Sequence, residues 1–126
     1  MKKHYVDIDK KWAFVFAYDI KWKDLGEVGE WLEALGSDEE EIDEAQELLT
    51  KWNKGFTKSN SGLRMSVMCI GKSTDEPQWW DTVNHEIDHL QNTILRYYDV
   101  AQGSEDAAWL QGYIMRGIIQ ALKDDG

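Results

Sequence analysis

One cysteine, one proline and three histidines are all that these 126 residues contain of those types, and each scarcity excludes something. A lone Cys69 cannot form an intramolecular disulfide, so stability must come from a packed core. It falls in the apolar run Val67-Met68-Cys69-Ile70, where a buried, inert thiol is expected rather than a nucleophile or ligand. No apolar run approaches the roughly 20 residues of a spanning helix, so no membrane association is expected. The start, Met1-Lys2-Lys3-His4-Tyr5-Val6-Asp7, is basic but is not followed by the apolar core of a signal peptide. These absences together lead to the expectation of a cytoplasmic protein. Positive charge is scarce as well: 14 Lys and Arg face 24 Asp and Glu, a net charge of −10. That balance argues against nucleic-acid binding through phosphates, which needs a positive face.

What is present fits a single domain over residues 1–126, with 42% hydrophobic and 30% charged residues. Seven of the acids crowd between Asp38 and Glu47. Ser37 and Glu40 have capping-box spacing there, and Ile42, Ala45, Leu49 and Trp52 form an apolar stripe. A solvated acidic helix face follows; the sharper alternative is an acidic decoy surface that mimics DNA.

Lys11 to Ile20 reads as a buried strand, with Trp12, Phe14 and Phe16 alternating with Ala13, Val15 and Ala17. Asp24 to Leu35 is a first helix closed by Gly36, and Ser37 to about Trp52 an acidic second one, ended by Asn53-Lys54-Gly55. Phe56 to Ser59 is a short strand. Asn60-Ser61-Gly62 is a turn, and Leu63 to Ile70 a second clear strand with one apolar and one mixed face. Two helices complete a β-α-α-β-β-α-α order, which describes an α+β domain. The seven tryptophans are expected mostly in or at the edge of the core, with one or two available to line a cleft.

The segment His85-Glu86-Ile87-Asp88-His89 carries the chemistry. On a helix, His85 and His89 lie one turn apart on one face, so both imidazoles reach a single divalent ion. Glu86 sits about 100° away, able to touch a metal-bound water without coordinating the ion. The neighbours Val83, Ile87, Leu90, Ile94 and Tyr97 recur at steps of three and four, which puts the motif on an amphipathic helix with the histidines on a polar face. Ser73, Thr74 and Asp75 are N-cap candidates, and Pro77 suits a first turn.

Two histidines leave a zinc site incomplete, because catalytic sites usually have three protein ligands plus water. His89 is the last histidine of the chain, so none follows at the short metzincin spacing, and a carboxylate on a following helix is the other common solution. After Gly103 and a Ser104 N-cap, Glu105 begins a helix whose face carries Glu105, Ala108, Gly112 and Arg116. Small residues at 108 and 112 would let it approach the motif helix. Glu105 is the first choice for the third ligand and Asp106 the fallback. Acidic residues are also favoured in a first turn by the helix dipole, metal or not.

Residues Ser66 to Gly71, then His85 to Leu90, then Glu105 to Gly112, resemble a group of small zincin-like proteins of bacteriophages and mobile elements of gut bacteria. The likeness covers the C-terminal half, from about Gly55; Trp109 stands where that group more often has Tyr. It implies a zincin-like minimal core of the gluzincin type. In such a core a small antiparallel or mixed sheet packs on the HExxH helix and a following Glu-bearing helix. It also implies that an edge strand ahead of the motif helix, assigned to Leu63 to Ile70, receives an extended peptide by backbone pairing.

The expected function is zinc-dependent metallopeptidase activity on a peptide or protein substrate. Zn²⁺ would be held by His85, His89 and Glu105, with Glu86 as general base. Tyr113 and Arg116 are the candidate transition-state donors, and Asp88 and Asn92 the candidate outer partners of the imidazoles. The competing class is a non-catalytic zincin-like binding or structural module.

Overall fold

Alternation along two short strands divides this chain into three layers, as the computed structural model of all 126 residues makes plain. β1 (Lys2–Ile8) and β2 (Trp12–Tyr18) form one antiparallel hairpin; β3 (Gly55–Asn60) and β4 (Met65–Ile70) form another. β2 and β4 then pair in parallel, giving a mixed sheet of order β1-β2-β4-β3. Helices α1 (Leu25–Ala34) and α2 (Glu39–Leu48) cover one face, packing on Ala17, Val67 and Cys69. Helices α3 (Glu76–Tyr98) and α4 (Glu105–Asp125) cover the other, on Phe14, Phe16, Met68 and Ile70. The α+β class and the mixed sheet agree with the sequence reading.

The sequence reading missed β1. Only one of its residues is buried, and its hairpin turn uses Asp9 and Lys10 at positive φ where Asn or Gly would have signalled it. β4 is not an edge strand as expected: it pairs with β2 on one side and β3 on the other, so neither edge is free. The free edge beside α3 belongs to β3. Both faces of β4 are covered, so Ser66 is fully buried and takes the Trp12 indole N–H at 2.9 Å. The N-cap of α2 is Asp38, one residue beyond the expected Ser37. Its carboxylate accepts the Glu41 N–H, and the Glu41 side chain accepts from the Asp38 N–H in return. The cap of α3 is Asp75, which accepts from the Gln78 N–H, with Pro77 in the first turn. Of the tryptophans, Trp12 is core, Trp31, Trp79 and Trp80 flank it, and Trp22, Trp52 and Trp109 are exposed. No helix is long and apolar enough to cross a membrane.

Close packing of α4 falls at Gly117 rather than at Gly112. A Cβ on Gly117 would lie 2.6 Å from Val6 Cγ1 in β1, whereas one on Gly112 meets nothing within 4 Å. Both substitutions to Ala gain the same helix propensity, up to about 1 kcal/mol. Gly112→Ala is therefore expected to raise the melting temperature. Gly117→Ala is expected to lower it, with a net loss of stability of about 1 kcal/mol, because Val is stiff and overpacking costs about 1–3 kcal/mol. Thermal melts of Gly117→Ala in a Val6→Ala background should show the sign reversed.

Candidate metal and hydrolytic site

The groove that holds the motif lies between α3 and the edge strand β3. It has a volume of about 580 Å³. Residues of α3 facing it recur at helical spacing: Gln78, Asp81, Thr82, His85, Glu86, His89, Thr93 and Arg96. Opposite them lie Asn53, Lys54, Gly55, Phe56 and Thr57, with Leu48 of α2 at one flank. Aliphatic residues on the other side of α3 anchor it to the sheet: Val83, Ile87, Leu90 and Ile94 are all buried, as their spacing predicts. Tyr97, the last of that stripe, is exposed.

Within the groove the two imidazoles converge. Both side chains are exposed, and His85 Nε2 lies 3.0 Å from His89 Nε2, with the rings at 89° to each other. Two nitrogens at ordinary zinc distances on a tetrahedral ion are about 3.3 Å apart. The pair is thus within a few tenths of an ångström of ligand spacing.

Glu86 is set differently. Its side chain points under the helix toward the sheet and is only 3% exposed. Thr57 Oγ1 of β3 donates to Oε1 at 2.9 Å; the second oxygen has no protein partner, and Glu86 contributes to the groove wall. Burial pushes its carboxyl above the ordinary glutamate value of 4.5, while Thr57 and the two histidines pull the other way. A carboxylate with a raised pKa, one tethered oxygen and one free oxygen is suited to accepting a proton.

The structure does not bring Glu105 to this pair. It sits exposed on the first turn of α4, on the face opposite the buried stripe Ala107, Leu110 and Ile114, and does not line the groove. The physical reason lies in how α4 docks. Gln91 donates to the Ala107 carbonyl at 3.0 Å, and at 100° per residue Gln91 points roughly 160° away from His89. Ala108 and Gly112, expected to face the motif helix, turn to the same outer side as Glu105. Asp106 borders a separate apolar hollow with Ile94, Tyr98 and Trp109. No three His, Cys, Asp or Glu side chains are grouped so as to hold one metal ion. The donor set accordingly fits a metal in two positions and leaves the third protein position unfilled.

Other assignments change too. Tyr113 and Arg116 stack on each other on α4, with the guanidinium 5.5 Å from the ring centroid, and neither lines the groove. Asp88 accepts from Asn92, and Asn92 accepts from Gln102, so neither orients an imidazole. The donors that do line the groove include Thr57, Lys54 and Arg96, none of which was assigned to the site from the sequence. Arg96 was legible: it stands seven residues, two turns, beyond His89. Lys54 and Thr57 depend on the β3 edge, which sequence spacing does not specify. Cys69 is buried as expected, and burial raises its thiol well above its ordinary value. No family model, curated protein or solved structure matches the chain significantly.

Proposed function

We propose that this chain is a zinc-dependent hydrolase of the zincin type, acting on an extended peptide laid in the groove between α3 and β3. The observation that carries the reading is the pair of converging imidazole nitrogens, 3.0 Å apart, beside a buried carboxylate that shares their groove. Bound zinc would supply Lewis acidity and a water of pKa about 7. His85 and His89 would hold it. Glu86 would accept the proton of the attacking water at its free oxygen and return it to the leaving amine, with Thr57 Oγ1 holding the other oxygen in place. The unpaired edge of β3 binds the substrate backbone by strand addition. Lys54 and Arg96 are the groove's charged donors.

A second reading, a zincin-like module that binds a partner without catalysis, is favoured by the distance of Glu105 from the histidines. Zinc titration of metal-free protein separates the cases. The expected result is one zinc per chain, with affinity falling at least about tenfold in His85→Asn and in His89→Asn. Glu105→Gln reports on α4: loss of zinc there means that its first turn closes onto the ion. Absence of binding in the wild type removes the metal from both readings.

A further inference from the structure

The sheet has two outer edges, and they differ. The β3 edge borders the groove beside α3. The β1 edge is open, and β1 pairs with β2 in unbroken register from Lys2 opposite Tyr18 to Ile8 opposite Trp12, with no bulge and no proline. Ile8 accepts the Lys11 N–H across the hairpin, so the bonds to β2 fall at Ile8 and at every second residue before it. The main-chain groups of Lys3, Tyr5 and Asp7 therefore point outward, and none bonds to a loop or a side chain.

The side chains of the same three residues share one face. Lys3 reaches Glu27 and the Trp31 ring of α1, whereas His4 and Val6 face α4. The helical layer stops short of this row. Tyr5 is 68% exposed, the only large apolar side chain of the four strands left open. Beside it lies a hollow of about 220 Å³ that Val15 and Trp31 help to line.

Edge strands are normally blunted by proline, a bulge or charge. β1 has charge alone, and its charges suit a copy of themselves. Lys3 and Asp7 stand two residues to either side of Tyr5. Antiparallel pairing of two β1 strands about a two-fold axis at Tyr5 sets Lys3 opposite Asp7 of the other copy, twice, and Tyr5 opposite Tyr5. Opposite charges and aromatic pairs across strands are both favourable. Centred instead on Lys3 or on Asp7, the same strands would set like charges together. Net charge points to the same place. At −10 two copies repel wherever acidic faces meet, but β1 carries two lysines and one aspartate. Lys3 also pairs with Glu27, and Asp7 accepts the Lys10 N–H at one oxygen. The Lys3 side chain is still 52% exposed and the second Asp7 oxygen is unbonded, so each can take a further partner.

We propose that two copies of this chain join through antiparallel pairing of their β1 strands centred on Tyr5, making one continuous sheet. About six main-chain hydrogen bonds form along Lys3, Tyr5 and Asp7. The contact is isologous, so it closes at a dimer. Both β3 edges, with their grooves, stay at the outer ends, and the inference is independent of the metal site.

Sedimentation velocity over a concentration series at physiological salt tests it. The wild type is expected to pass from monomer to dimer at micromolar concentrations. Lys3→Asp and Asp7→Lys each set like charges together at both contacts, and each is expected to raise the dimer dissociation constant about tenfold. An equimolar mixture of those two variants restores opposite charges at every contact. It should form a one-to-one heterodimer of near wild-type affinity, a result that a misfolded variant cannot produce. Tyr5→Pro removes an outward N–H while leaving the β2 ladder, and should be monomeric. A wild type that stays monomeric at millimolar concentration overturns the proposal. So does a dimer that neither charge variant weakens, or a mixture that associates no more tightly than its components.

Discussion

Glu86→Gln is expected to abolish hydrolysis, by at least about a hundredfold, while making the metal-free protein more stable at neutral pH. The two effects have one cause. Glu86 is 3% exposed and bonded by a single hydroxyl, so its charge is under-solvated where it stands. That raises its pKa, which is what a proton acceptor near neutrality needs, and it makes the ionised form a burden on the fold. The sign follows from linkage. A carboxyl whose folded pKa is raised binds its proton more tightly when folded, so it costs nothing while both states are protonated. The cost begins as pH rises past the ordinary value of 4.5 and is complete above the folded pKa. Gln keeps an oxygen for Thr57 and carries no charge. The variant should therefore match the wild type near pH 4 and exceed it by about 1 kcal/mol at pH 7, the usual size of relieving one strained functional group. Thermal melts across that range, in chelator, check it. A variant less stable at pH 7 than the wild type would show that the carboxylate is held for the fold and not for a reaction.

Gly55→Ala is expected to destabilise by about 2 kcal/mol, or roughly 6–10 °C in melting temperature. Gly55 opposes Ile70 in the β3–β4 ladder and lies directly beneath α3. A Cβ there would stand 2.7 Å from the Cys69 carbonyl oxygen and 2.9 Å from Thr82 Cγ2. The first neighbour is backbone in the middle of the sheet and cannot turn aside. The added methyl must push β3 or α3, and these are the two walls of the groove. A Thr82→Ala background removes the second clash and leaves the first, so rescue should be partial. Because Thr57 lies two residues along β3, the Thr57–Glu86 hydrogen bond stretches with the shift. Activity should fall further than stability alone explains.

Much of the fold could be read from periodicity because the buried elements obey it strictly. β2 and β4 are covered on both faces and stood out as dense apolar runs; α3 showed its stripe of Val83, Ile87, Leu90 and Ile94. β1 was invisible because an edge strand needs few buried residues and its turn is built from Asp9 and Lys10. At the site, one helix places His85, Glu86 and His89, so one-turn spacing was enough to foresee the convergence of the imidazoles. Glu105 needed more. Its place relative to the histidines depends on the rotation and docking of α4, which Gln91, Gly117 and Val6 set through contacts between elements. The two sides of the groove were mixed up for a similar reason. Which strand forms the edge is decided by the β2–β4 parallel pairing, a long-range choice that neither strand's own pattern records.

Peptide hydrolysis by the zinc-loaded wild type is the most direct test of the central claim, that the α3–β3 groove is a hydrolytic metal site. The account predicts cleavage of extended peptides that stops on chelation, resumes with added zinc and is absent from Glu86→Gln even when that variant holds zinc. Zinc-loaded wild type that cleaves no peptide, or Glu86→Gln that cleaves as well as the wild type, would contradict it.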